Sequence, residues 1–452
     1  MKMRYRCWFL TFFLLLGLGL PLIGEDSETK TDAVRSLREE RERILRYGVD
    51  STMIGLMDDL TKEKNNQFNK IIFEEAQSAM NPEVGIRAFS LFIATEDRIA
   101  EDWALEILKD DDLYGVKFLV AALGYLGEDL PRRAGDEIVK LLKHEERLVA
   151  QAAVTALGKS EDERYAEDLM ALIDDRYFHE DLKTTVITAL GDLKADAALE
   201  LLTEIVEDEE EEKGLRWRAC QALGKIAHPD SFIVISRLFA DQDKVLRTYA
   251  TEALGHYLTD DAEKYLIRAL RDSAWDVRVK AASQLGERKS TEAVSPLIYM
   301  AESDPELVVK REAVKALGKI ANTESLDFLQ KLGSSTAGTN PQLWVLAVEI
   351  LVEKDFSRAF EGLMKIVEQE WTKENSYFLN QIGIHFSKKE DAALSPVFER
   401  FLGHKEINIK LYGIRGIGLN RFSELKERLE EMTEDGQARV IRQNALDALE
   451  RL

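Results

Sequence analysis

The residues able to do chemistry are few and far apart. The chain has six histidines, the natural candidates for metal ligands or proton shuttles, and two stand beside a glutamate, in His144-Glu145 and His179-Glu180. An imidazole next to a carboxylate offers a nitrogen and an oxygen donor, a set that divalent iron or zinc accepts. A metal centre needs several such donors at one point, and the remaining histidines, His228, His256, His385 and His404, follow no spacing that would gather ligands or pair an acid with a base. Residues 207–212, EDEEEE, carry carboxylates for a cation but lack the alternating ligands and glycine turn of a calcium loop, so they read as a solvated loop. Neither a phosphate-cradling glycine loop nor a nucleophile elbow occurs. The sequence therefore predicts a protein that is not an enzyme and carries no metal or cofactor.

What does recur is charge. Asp241, Asp272 and Asp304 each lie 14 residues before a Leu-Gly glycine, and Lys183, Arg216, Arg247, Arg278 and Lys310 each lie eight before one. If the segments stack at constant register, the two sets become an acidic row beside a basic row. One reading is an internal ladder of Asp241, Asp272 and Asp304 against the arginines, tying turn to helix and neighbour to neighbour. The other is that Lys183, Arg216, Arg247, Arg278 and Lys310, with the spare cations Arg218 and Arg311, receive an acidic partner. Trp217 adjoins the basic row and joins the candidate contacts, because exposed aromatic and arginine side chains concentrate binding energy. Trp275, Trp344 and Trp371 read first as packing residues.

These positions are set by a repeated phrase, plainest over residues 277–286, VRVKAASQLG. Aligned on its closing glycine, the chain shows Gly124, Gly158, Gly191, Gly224, Gly255, Gly286 and Gly318, stepping by 31 to 34 residues. Such a period means stacked supersecondary units with one continuous core. Each unit reads as a first helix ending near an aspartate, a tight turn, and a second helix closing at Leu-Gly. There the glycine is expected to supply a left-handed stop. The rhythm is regular over residues 131–332 and weaker over 48–130 and 333–452, and about eleven units fit. Apolar spacings predict helices near 53–60, 69–79, 84–93, 99–108 and 114–123, a charged capping helix within 25–47, and a last second helix over 438–452. The polar loop 333–342 and the acidic run 207–212 are the longest turns.

Composition agrees: 45% apolar residues and only eight prolines suit an all-α fold. The formal charge of −22 repels phosphate backbones, which excludes nucleic acid as an expected partner. Residues 1–24 run basic, apolar, then turn-prone, the order of a signal peptide, with an uncleaved anchor formed by residues 7–24 as the alternative. Export, and a periplasmic location, are thus expected. Once the leader is removed only Cys220 remains, so no internal disulfide is available.

The pattern Asp272, Val277, Arg278, Ala281, Ala282, Leu285, Gly286 resembles short bacterial HEAT repeats. Two further copies are Asp241 with Leu246, Arg247, Ala250, Leu254 and Gly255, and Asp304 with Val309, Lys310, Ala313, Leu317 and Gly318. The resemblance implies an α-solenoid, a HEAT/armadillo-like superhelix of stacked hairpins, whose second helices line a concave face used to bind a protein or envelope component. A membrane-tethered spacer is the alternative function. Two enzymes share the repeat. Deoxyhypusine hydroxylase places His-Glu pairs seven residues before the glycine, where this chain has Gln151, Thr184, Trp217, Thr248, Val279 and Arg311, so the iron site is not expected. The bilin lyases match at repeat level alone.

Overall fold

A computed structural model of the chain describes residues 27–110, 113–175 and 177–452. The leader expected over residues 1–24 lies outside them. Among the described residues every regular element is an α- or 3-10 helix, and none of the helices is long and apolar enough to cross a membrane. The contacts divide the chain into two compact units between Ala189 and Leu190.

In the first unit the helix Ser27–Tyr47 pairs with Asp50–Glu63, and Asn69–Ser78 precedes Pro82–Ala94. Glu101–Lys109 precedes Val116–Gly127, and Arg132–Lys140 precedes Arg147–Gly158. The second member of each pair packs on the second member of the next. The charged leading helix is therefore the first half of a hairpin, tied to its partner by Arg41, whose guanidinium forks onto Glu63 at 2.7 and 2.8 Å. Leu45, Met57 and Leu60 are fully buried beneath that ion pair. Further along, the rings of Phe89 and Trp103 stack at 4.8 Å, and Tyr125 closes the aromatic core by donating its hydroxyl to the Asp97 carbonyl at 2.9 Å. Desolvation pushes the Tyr125 phenol up to about 12.

The second unit shows the hairpin plan most plainly over residues 259–289. Thr259 caps the helix Asp260–Ala269 by accepting from the Ala262 N–H. That helix buries Ala262, Leu266 and Ala269, a single stripe at helical spacing. The following helix Trp275–Glu287 buries Val277, Arg278, Ala281, Ala282, Leu285 and Gly286, which cover more than one face. A helix packed on two sides in this way sits between its own first helix and the second helices before and after it. Each fully buried leucine in such a row stabilises by about 1.5 to 3 kcal/mol.

The closing glycines do a different job from the one their position suggests. They hold right-handed helical angles, and the left-handed residue comes three positions later, at Glu161, Lys194, Ala227, Lys289, Ala321 and Arg421. At these stops the chain folds back on itself: Ser290 N–H reaches the Leu285 carbonyl and Ala195 N–H the Leu190 carbonyl, at 3.0 and 3.2 Å. What requires glycine is the stacking distance. In the first unit a Cβ built on Gly127 would stand 2.9 Å from Ala156 Cα, and one on Gly158 2.8 Å from Ala189 Cα. In the second unit the same distance is 2.7 Å for Gly191 to Ala222, 2.5 Å for Gly224 to Ala253 and 2.8 Å for Gly286 to Ala316. Consecutive second helices touch backbone to backbone at these points. Gly124, the expected anchor of its unit, has nothing within 4 Å of such a Cβ, so the stacking residue there is Gly127.

Candidate functional site

The acidic and basic rows meet inside the second unit, one repeat out of step. Arg216 reaches Asp241 of the next hairpin at 3.0 Å. Arg247 forks onto both oxygens of Asp272 at 2.8 and 2.9 Å, and Arg278 onto Asp304 at 2.7 and 2.9 Å. Each arginine also satisfies carbonyls within its own hairpin: Arg216 donates to Val206 O, Arg247 to Asp241 O, and Arg278 to Asp272 O. Each aspartate in turn caps its own turn, accepting from the N–H two residues on, that of Asp243, Ala274 or Glu306. One rung thus ties the turn of one repeat to the second helix of the repeat before it, through paired, charge-assisted hydrogen bonds.

The electrostatics follow from that geometry. Burial alone would push the Asp272 carboxyl up, but the hydrogen bonds from Arg247 and the Ala274 N–H outweigh it and hold the group below the usual carboxylate range. The hydrogen bond to Asp272 correspondingly raises Arg247, and the one to Asp304 raises Arg278. With Arg216 and Arg278 buried and every rung occupied, these arginines belong to the repeat junctions. Arg216, Arg247 and Arg278 thus have the geometry of the internal ladder, one of the two readings of the sequence. A partner would have to strip each from a carboxylate and from backbone carbonyls.

The row ends where its acids end. Lys310 stands in the arginine position, but the next turn is the loop 334–340, which has no aspartate, and its Nζ donates to the Glu302 carbonyl at 2.7 Å. Lys183, in the first unit, pairs with Glu180 at 3.1 Å. The side chains that do face outward from the second helices are others. Trp217 is half-buried, donating its indole N–H to Asp243 at 2.8 Å while its ring stacks on Tyr249 with centroids 6.4 Å apart. That hydrogen bond, with backbone donors, holds Asp243 low against the upward push of burial. Arg218 is exposed beside it, bonded to Gln221, and among the described residues neither it nor the exposed Arg311 has a carboxylate within ion-pair reach. Trp275 is 45% exposed, whereas Trp344 is fully buried and Trp371 packs against His404 and Arg400. Tyr249 was not singled out by the sequence, although it lies one position past the tryptophan register.

Several histidines serve turns. His144 and His404 occupy the register of the ladder aspartates and do the same work, their Nδ1 accepting from the N–H of Glu146 at 2.9 Å and of Glu406 at 3.1 Å. His404 adds a contact from Nε2 to the Trp371 carbonyl at 3.0 Å, and His179 Nε2 reaches the His144 carbonyl at 3.3 Å. Desolvation lowers His256 and His385. Among the described residues no group of three or more His, Cys, Asp or Glu side chains is arranged to hold a metal. Cys220 is fully buried, and desolvation raises its thiol far above the range in which it would react.

Comparison with known proteins adds the family. The family described as spirochaete HEAT repeat protein matches residues 45–448. Deoxyhypusine hydroxylase-B of Oryza sativa subsp. japonica is 23% identical over 272 residues, covering 54% of this chain and 88% of that protein. Kap121p is similar in structure with a TM-score of 0.43 and 13% identity over 95% of this chain, which spans 55% of the Kap121p chain. The complex of CpcE and CpcF of phycocyanin lyase from Nostoc sp. PCC7120 gives a TM-score of 0.34 and 17% identity, over 51% of this chain and 93% of that one. Because the family match runs through the hairpins of both units, this chain belongs to the spirochaete HEAT repeat proteins.

Proposed function

We propose that the chain is a non-catalytic exported scaffold that binds another protein or an envelope component through the face carried by its second helices, without cofactor or nucleic acid. Trp217 carries the reading. A large ring held in place by Asp243 and stacked on Tyr249, yet left partly open beside the exposed Arg218, is a pre-organised anchor. The Arg–Asp rungs supply rigidity beneath it, so a partner meets side chains that are already ordered. Arg311 lies three repeats further on and extends the same face with a cation that has no carboxylate within ion-pair reach among the described residues. HEAT-type hairpins present such faces to extended partners as a matter of architecture.

The test is capture from an envelope extract by the full chain and by a Trp217→Ala/Tyr249→Ala/Arg311→Glu variant, with a first-helix variant, Tyr299→Ala, as control. The proposal expects one or more proteins lost by the triple variant and retained by the control. Equal recovery by all three would overturn it. Fractionation with mass measurement of the recovered chain separately tests export and removal of residues 1–24.

A further inference from the structure

We propose that a second site, a cleft at the last second helices of the second unit, binds the side-chain carboxylates of an acidic peptide segment. The cleft holds about 450 Å³ and is lined by Ser387, Lys388, Arg415, Asn444, Asp447 and Arg451. Its three cations come from consecutive repeats: Lys388 just beyond the helix Tyr377–Phe386, Arg415 within Ile407–Asn420, and Arg451 just beyond Arg439–Leu449. All three are exposed. Several exposed or half-exposed cations of this unit find a carboxylate of a neighbouring repeat, as Lys225 does with Asp192, Lys319 with Glu287 and Arg400 with Glu368, whereas others such as Arg311 do not. Among the described residues no carboxylate lies within ion-pair reach of Lys388, Arg415 or Arg451. The one acid in the cleft, Asp447, instead accepts from Gln443 at 3.0 Å.

A chain with 83 acidic and 61 basic residues has carboxylates to spare, so three cations lining one cleft without one form a positive stretch in a negative field. The favourable end of a helix dipole accounts for a cation at Lys388 and Arg451 but not for Arg415, which lies inside its helix. Arginine forks match carboxylates two oxygens at a time, and Asn444 orients one of them, its Oδ1 accepting from Arg415 Nε at 3.4 Å. The cations are spread over three repeats along an open cleft rather than gathered round one point. That spacing suits successive acidic side chains of an extended segment better than a single compact anion. The site stands apart from the Trp217 face and does not depend on it.

Fluorescence anisotropy of the full chain with a labelled peptide of alternating Glu and Gly tests the assignment. Arg415→Gln/Arg451→Gln removes two exposed cations from the cleft, while Lys264→Gln/Lys365→Gln removes the same charge from exposed positions elsewhere. The expected result is saturable binding, weakened about tenfold or more by the cleft variant and less than about twofold by the control. Absence of saturable binding would overturn the proposal, as would equal weakening in both variants, which would mean a response to net charge alone. Displacement of the peptide by inorganic phosphate at the peptide's own Kd would overturn it as well, because the cleft would then be a simple anion pocket.

Discussion

Two glycines on one helix test the stacking contact. Gly124 and Gly127 both lie on Val116–Gly127; a Cβ at the first meets nothing within 4 Å, and one at the second comes within 2.9 Å of Ala156 Cα and 3.0 Å of its Cβ. Alanine is better than glycine in a helix interior by about 0.8 to 1.0 kcal/mol, so Gly124→Ala should stabilise by up to that amount. At Gly127 the gain is smaller, because the residue closes the helix, and the methyl must push two backbones apart by several tenths of an ångström. Overpacking of this kind costs about 1 to 3 kcal/mol, and the neighbour here is backbone that cannot swing aside. Gly127→Ala should therefore be less stable than Gly124→Ala by about 2 kcal/mol or more, with Gly158→Ala, whose Cβ would be 2.6 Å from the Ala189 Cβ, at least as damaging. Urea unfolding followed by circular dichroism reads the difference as a shift in the midpoint of the first unit's transition, with the purified variants compared at equal slope. If Gly127→Ala proved as stable as Gly124→Ala, the backbone contact would not exist in solution and the reasoning about the closing glycines would fail.

Other consequences follow from the rungs and the helix stops. Asp272→Asn keeps the turn cap but removes the carboxylate that Arg247 forks onto, and should cost about 3 kcal/mol by thermal or urea unfolding, whereas Lys365→Gln, at an exposed pair, should cost under about 0.5 kcal/mol. Because the folded Asp272 carboxyl is held below its ordinary value, its contribution is fully present above about pH 4 and disappears as pH falls further; unfolding measured between pH 5 and pH 2 should show this loss in the natural chain and a reduced loss in Asp272→Asn. His385 and His256 are lowered by desolvation, so their contribution is present above about pH 6.5 and lost as pH falls below it; the natural chain should weaken between pH 7 and 5, and His385→Gln should weaken less steeply. Ala321 sits at a left-handed stop with φ 49°, so Ala321→Gly should stabilise by about 0.5 to 1 kcal/mol, read as a higher melting temperature.

Much of this fold is written in its periodicity, and the departures have identifiable causes. The expected helix at 84–93 is observed as Pro82–Ala94, where apolar spacing and the Asn81 cap agree, and the one at 438–452 as Arg439–Leu449, where apolar spacing alone marks it. The register of the third hairpin slipped by one turn because residues 123–127 read Leu-Gly-Tyr-Leu-Gly, with two copies of the aligning pair. Packing against Ala156 selects the second copy, which shortens the step to Gly158 from 34 residues to 31. The role of the glycines was misassigned for a related reason: left-handed stops and close helix contacts both favour glycine, and only the neighbouring helix distinguishes them. The two charged rows were legible, but their offset by one repeat was not, since register fixes which positions share a row and not which rung joins them. The sequence offers His144 and His404 as metal or acid–base candidates and not as caps, because a histidine in an aspartate column does not look like an acid. What the turn needs there is an acceptor for the N–H two residues ahead, and an imidazole nitrogen is one.

The proposed docking face is tested most directly by hydroxyl-radical footprinting of the chain alone and with a captured partner bound. Trp217 and Tyr249 report on the second helices, and Tyr299, 72% exposed on a first helix, reports on the other side of the same unit. Binding through the second helices predicts that oxidation of Trp217 and Tyr249 falls in the complex while that of Tyr299 is unchanged. Protection of Tyr299 with Trp217 and Tyr249 still reactive would place the partner on the first helices and contradict the account.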